Sequence, residues 1–279
     1  MNKPIAVMDS GVGGLTVVQE LMRQLPREEI IYFGDTARCP YGSRSKEEVK
    51  EFSYQIIDFL QKYDPKMIVI ACNTATAVIL EELNAKSNIP IIGVIHPGVR
   101  SVIKATVRGR VGVIGTQNTI QSGLYDYALK QIHPELYVKS LACPTFVPLV
   151  EEGTFQEQDV LSIVEEALIP FQEEDIDALI LGCTHYPLLA PFIQKVMGNN
   201  IQLISSADET AREVSTILFH KNLLSQKFGR PEHHFFTSGK LSVFQHIAES
   251  WLAQPINVQY IPTEALENSQ WLDTKSTIV

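Results

Sequence analysis

Short continuous apolar runs alternate along this chain with longer stretches whose apolar residues recur every three or four positions. Residues 5–8, 30–33, 67–71 and 91–94 are runs of the first kind. Runs of this length without polar alternation predict strands buried on both faces. Between the first two, Leu15, Val18, Leu21, Met22 and Leu25 form a helical stripe after Gly13-Gly14. Val49, Phe52, Ile56, Phe59 and Leu60 form a second stripe, and Ser45 with Glu48 predicts a capping box at its start. A further helix is expected from the end of the third run through Leu83.

The second half repeats this order. Runs at 111–114, 137–141, 178–181 and 201–204 each begin 106 to 111 positions after their counterparts. Four strands at a nearly constant offset predict an internal duplication. The expected fold is α/β: two pseudo-symmetric, doubly wound domains with mainly parallel sheets and an active site in the cleft between them. The first domain is expected over 1–97 plus 208–265 and the second over 98–207, with 266–279 as a C-terminal tail. Beyond 207, a helix, a run at 234–237, another helix and a run at 256–260 exceed the duplication and extend one of the two sheets.

Parallel sheets bind ligands at the carboxyl ends of their strands. In the first half those ends carry Asp9-Ser10, Asp35, Cys72-Asn73-Thr74 and His96, and in the second half Gly115-Thr116, Cys143, Cys183-Thr184-His185 and Ser205-Ser206. Cys72 and Cys183 occupy matching places, each at the end of an apolar run and followed by small hydroxyl or amide side chains. Two thiols facing one substrate from opposite sides form the pair of acid/base groups that inversion of a stereocentre needs. A helix beginning at each would favour the thiolate through its dipole and free N–H groups. Cys39 and Cys143 read as small buried hydrophobes.

Composition narrows the picture. The chain has 279 residues, 45% of them hydrophobic, with 32 acidic and 23 basic side chains and a net charge of −9. An acidic balance without a basic stripe excludes non-specific nucleic-acid binding. No apolar stretch reaches the length that spans a bilayer, so no membrane partner is expected. No leader with a cleavage site is visible at the N-terminus, and four cysteines are too few for a disulfide framework. A cytoplasmic protein with free thiols is therefore expected.

Asp9-Ser10-Gly11-Val12-Gly13-Gly14 is rich in glycine but matches neither phosphate-loop nor dinucleotide spacing. A turn does not require an acid at the strand end, which leaves Asp9 a candidate site residue. His185 reads as a structural histidine, an acid/base partner for a thiol or a carboxylate anchor. Cys72, Cys183 and His185 lack metal-site spacing, so no metal is expected, and neither cysteine belongs to a redox Cys-x-x-Cys pair. The loop Arg38-Cys39-Pro40-Tyr41-Gly42-Ser43-Arg44 reads either as a surface turn or as a cradle for an anion.

These residues carry a resemblance. Asp9-Ser10-Gly11-Val12-Gly13-Gly14, Pro40-Tyr41-Gly42, Cys72-Asn73-Thr74-Ala75 and Gly182-Cys183-Thr184-His185-Tyr186-Pro187 resemble the bacterial glutamate racemases, in order, from about residue 5 to about 240. The Cys-Asn-Thr element is shared with aspartate racemases. Gly-Cys-Thr-His-Tyr-Pro is more specific, because aspartate racemases usually carry Glu where His185 stands. The resemblance implies cofactor-independent racemisation of L- and D-glutamate, with D-glutamate supplied to peptidoglycan. It implies Cys72 acting on D-glutamate and Cys183 on L-glutamate, with Asp9, His185 and Glu151 assisting. Ser10, Tyr41, Gly42, Asn73, Thr74, Thr116 and Thr184 are implied to hold substrate, alongside Asp9 and His185. It also implies a homodimer. Activation by a peptidoglycan precursor is not expected, since the chain opens directly at its first strand. An aspartate racemase and a non-catalytic amino-acid-binding protein are the alternatives.

Overall fold

The computed structural model describes residues 2–152 and 156–266. The tail expected over 266–279 therefore lies, from residue 267 onward, outside the described residues. Among the described residues, ten strands form two sheets. In chain order they are β1 (Ile5–Asp9), β2 (Ile30–Gly34), β3 (Met67–Ile70), β4 (Ile91–Gly93), β5 (Arg110–Gly115), β6 (Tyr137–Ala142), β7 (Ala178–Gly182), β8 (Gln202–Ile204), β9 (His234–Thr237) and β10 (Val258–Tyr260). Each sequence run became a strand, displaced by no more than two residues at either end.

The first sheet has the order β10-β9-β2-β1-β3-β4 and the second β6-β5-β7-β8. Adjacent strands in both sheets run parallel. Stripped of β9 and β10, the first order maps onto the second strand for strand: β1 onto β5, β2 onto β6, β3 onto β7, β4 onto β8. The duplication expected from the offsets is thus a duplication of topology. The extra strands join the first sheet alone, beside β2. Its counterpart β6 is left as an edge.

Alternation along the strands sends side chains to two faces, and each face has its own core. On β1, Ile5 and Val7 pack with Leu15, Val18 and Leu21, while Ala6 and Met8 pack with Ile56, Leu60 and Ile79 on the other side. On β7, Leu179 and Leu181 join Val164 and Leu168, whereas Ala178 and Ile180 join Val99 and Leu129. Burying one such aliphatic side chain is worth about 1.5–3 kcal/mol, so both faces must be covered by helices for the sheets to persist. The helix Ala207–His220 returns to the first sheet, placing Ala211, Val214 and Leu218 against Leu15 and Val18.

The expected capping box is formed. Ser45 accepts from the Glu48 amide, and the Glu48 carboxylate accepts from the Ser45 amide, fixing the start of the helix Lys46–Gln61. No helix among the described residues is long and apolar enough to cross a membrane.

Candidate active site

The carboxyl ends of β1, β3, β5 and β7 meet between the sheets. Ser10, Pro40, Tyr41, Gly42, Cys72, Asn73, Thr74, Thr116, Val147, Cys183, Thr184 and His185 enclose a cavity of about 10 Å³. That is room for about one water molecule. Both cysteines face it, one from each half of the duplication. The larger surface hollows contain neither thiol.

Cys72 caps the helix Asn73–Lys86, its Sγ accepting from the Ala75 amide at 3.4 Å. The expected thiolate-favouring effect of that terminus is overridden. Burial, reinforced by the charge of Asp9, pushes the Cys72 thiol up to about 12, against the smaller opposing pull of the Ala75 amide. Cys183 differs in its backbone: a short 3₁₀ turn, Tyr186–Leu189, follows it before the helix Ala190–Met197 begins. His185 Nδ1 lies 3.7 Å from its Sγ.

Asp9, at the end of β1, is fully buried and accepts from the Gly11 amide at 3.0 Å and the Thr184 hydroxyl at 3.2 Å. Burial raises its carboxyl from 3.8 to about 6, although His185 pulls the other way. The glycine-rich turn beside it exists for close approach. A Cβ at Gly13 would stand 2.5 Å from both His185 Nδ1 and Thr184 Oγ1, so only glycine lets the two halves meet there.

Glu151 lies on the helix Phe146–Glu152 and accepts from the Val12 amide at 3.0 Å. Its Oε1 is 2.6 Å from His185 Nε2. Burial alone would lower the His185 pKa, but the contacts with Cys183, Cys39 and Glu151 outweigh it and raise the value well above the usual histidine range. For Glu151, burial opposes ionisation and the His185 contact overcomes it, so its carboxyl is held below the ordinary value. Both shifts favour the imidazolium–carboxylate form of the pair.

The polar lining divides in two. Around Thr74, three hydroxyls lie within reach of one another: Thr74 to Thr116 at 2.8 Å, Thr116 to Thr119 at 3.0 Å and Thr74 to Thr119 at 3.2 Å. Asn73 accepts from the Tyr125 hydroxyl at 2.7 Å, yet its side-chain NH₂ is buried with no partner. An orphaned amide donor at a cavity wall is costly unless an acceptor arrives there.

Every residue expected at the site from the sequence is at or beside this cavity. Asp35, His96, Cys143, Ser205 and Ser206, also expected at strand ends, do not line it. His96 is exposed and lines a surface groove with Leu124 and Tyr127. Asp35 is turned to structural use, accepting from Tyr41, from Arg38 Nε at 2.7 Å and from the Ser238 hydroxyl at 2.6 Å, which anchors the Tyr41 loop. Cys143 is a core residue as expected, but Cys39 is only partly buried and directs Sγ to Glu151 Oε1 at 3.6 Å. Thr119 was missed, although Thr116-x-x-Thr119 has the spacing of a side-chain N-cap, and the Thr116 hydroxyl does accept from the Thr119 amide. Asn118 was also missed. Its amide donates across the cleft to the carbonyls of Tyr41 at 3.2 Å and Arg44 at 2.6 Å.

The profile of the Asp/Glu/hydantoin racemases matches residues 5–214. The chain belongs to this family. Among the family's members, a glutamate racemase of Bacillus cereus is 55% identical over 95% of this chain and 98% of its own length. The crystal structure of glutamate racemase isoform RacE1 from Bacillus anthracis superposes with a TM-score of 0.90 at 51% identity, over 93% of this chain and 97% of that one. That of the Francisella tularensis glutamate racemase in complex with D-glutamate gives 0.87 at 36% identity, over 95% and 99%. The resemblance read from the motifs is borne out, and so is the α/β class of mainly parallel sheets.

Proposed function

We propose that this protein interconverts L- and D-glutamate by proton transfer between Cys72 and Cys183, without a cofactor. The observation that carries this reading is the pair of thiols, one from each half of the duplication, on the wall of one small buried cavity. Glutamate as the substrate, in preference to aspartate, is supported by the relatives named above and by His185 following Cys183-Thr184.

One thiolate removes the α-proton from one face, and the opposite thiol returns a proton to the other. Cys72 works on D-glutamate and Cys183 on L-glutamate. The α-proton of an amino acid is weakly acidic, so positioning and electrostatic stabilisation of the developing carbanion supply most of the rate. Asp9 and Ser10 stand beside Cys72, and the imidazolium of His185, held by Glu151, stands beside Cys183. Asn73, with its free amide donor, and Thr74, Thr116 and Thr184 hold the substrate carboxylates, with Tyr41 and Gly42 closing over it. The two lobes are 1–97 plus 208–265 and 98–207. The enzyme works in the cytoplasm as a homodimer and supplies D-glutamate to peptidoglycan.

Incubation with L-glutamate in deuterated water tests this reading. The α-proton NMR signal and the optical rotation are expected to decay together. Exchange of aspartate alone, or of neither amino acid, overturns it. Cys72→Ser and Cys183→Ser are each expected to lower racemisation at least about a thousandfold, as loss of an activated nucleophile or base does. Full activity in either variant sinks the two-thiol mechanism.

A further inference from the structure

We propose that Cys39, Glu151 and His185 form a site for a thiophilic divalent cation, with Zn²⁺ as its natural fit, and that occupancy switches the racemase off. The three side chains come from separate segments: the loop after β2, the helix Phe146–Glu152 and the turn after β7. One ligand atom from each converges so that all lie within 4.8 Å of one another. Thiolate, carboxylate and imidazole are the donors zinc prefers, and three of them leave the fourth tetrahedral position open. Zinc bonds of about 2.0–2.3 Å put ligand atoms roughly 3.3–3.6 Å apart in a tetrahedron. The Cys39 Sγ to Glu151 Oε1 separation of 3.6 Å already fits that edge. The 2.6 Å contact between Glu151 Oε1 and His185 Nε2 is a hydrogen bond that the metal replaces.

Access and consequence follow from position. Cys39 is only partly buried and does not line the cavity between the thiols, so the cation enters from outside it. Binding exchanges the Cys39 S–H and the His185 Nε2–H for bonds to zinc and releases both protons to solvent. His185 Nε2 is then held by the metal in place of its 2.6 Å contact with Glu151, and the ring that places Nδ1 3.7 Å from Cys183 Sγ shifts with it. The Glu151–His185 ion pair is dissolved as well. No electron is transferred, and removal of the metal by a chelator restores both protons.

The inhibitory effect rests on the racemase reading, whereas binding does not, so two readouts separate their failures. Racemisation of L-glutamate by the whole protein is measured in chelator-buffered Zn²⁺, with Mg²⁺ as control. Inhibition by Zn²⁺ alone, reversed by EDTA, is expected. Cys39→Ser is expected to keep uninhibited turnover and to raise the half-inhibitory zinc concentration at least about tenfold. Independently, Co²⁺ added to the protein is expected to give a thiolate-to-cobalt charge-transfer band that Cys39→Ser removes. Unchanged zinc sensitivity in Cys39→Ser, or a cobalt band that survives it, places the metal away from Cys39 and overturns the proposal. Absence of any cobalt band overturns it whatever the activity. A band that depends on Cys39 but comes without inhibition keeps the site and refutes the switch.

Discussion

At the scale of the residue, the site is built from groups that folding would rather leave in water. Asp9 is the clearest. A rise from 3.8 to about 6 means that its ionised form is destabilised by about 3 kcal/mol in the fold. Its folded pKa lies above its unfolded one, so the folded state holds the proton more tightly. That contribution to stability is fully present below about pH 4 and is lost as pH rises through about 6. Asp9→Asn keeps an oxygen for the Gly11 amide and removes the buried charge. It is expected to raise the melting temperature at pH 7.5, to lose that advantage at pH 4, and to depress racemisation at least about a hundredfold. Thermal scans at the two pH values with a rotation assay check it. Equal melting temperatures at pH 7.5 contradict the buried charge. Cys72 shows the same tension: the proposed mechanism needs it to ionise, yet burial, reinforced by the charge of Asp9, pushes its thiol up to about 12.

At the scale of the element, strands were legible because a two-sided parallel sheet leaves continuous apolar runs, and helices because their buried stripe repeats every three to four residues. The constant offset between the two sets of runs made the duplication legible as well. The partnership of the last two strands was not legible. A run such as 234–237 is equally apolar toward either sheet, and only the return of the helix Ala207–His220 onto the helix Leu15–Gln24, which follows β1, fixes it beside β2. The Cys72 thiol departs from the expectation for a related reason. Sequence shows the helix terminus that favours a thiolate but not the depth of burial that opposes it. Thr119 and Asn118 escaped notice because their roles depend on the opposite half of the molecule. Local signals did hold where the interaction is local, as in the capping box. Ser45→Ala removes both its side-chain bonds and is expected to cost about 1 kcal/mol of stability with racemisation unchanged. Urea titration measures the first and the exchange assay the second. A stability loss below a few tenths of that size denies the cap its role.

At the scale of the whole molecule, a cavity of about 10 Å³ cannot admit an amino acid, so the proposed reaction requires the halves to separate for entry and release. The contacts that break are visible: Thr74 with Thr116, Asn118 with the Tyr41 and Arg44 carbonyls, Thr184 with Asp9, and Val12 with Glu151. Gly42 marks how closely they meet, since a Cβ there overlaps the Thr116 side chain. Gly42→Ala is expected to lower kcat/KM about tenfold to a hundredfold with little loss of stability, because only the closed state is crowded. Kinetics together with urea titration check this, and unchanged kinetics show that closure does not press these two residues together. The two copies of the repeat, alike in chemistry, are unlike in their rims. β9 covers β2, but among the described residues no strand covers the outer side of β6. An uncovered strand offers its backbone N–H and C=O groups to any extended chain. On β6, Tyr137 donates to Glu174, Lys139 pairs with Glu174 at 3.2 Å and Ser140 donates to Asp126, so its side chains are tied back into their own lobe. β6 is thus a seam where a stray strand can be added in the half that carries Cys183, at the place that β9 fills in the other half, and its guard against clumping is three side-chain tethers, one of them a lysine's, instead of a neighbouring strand.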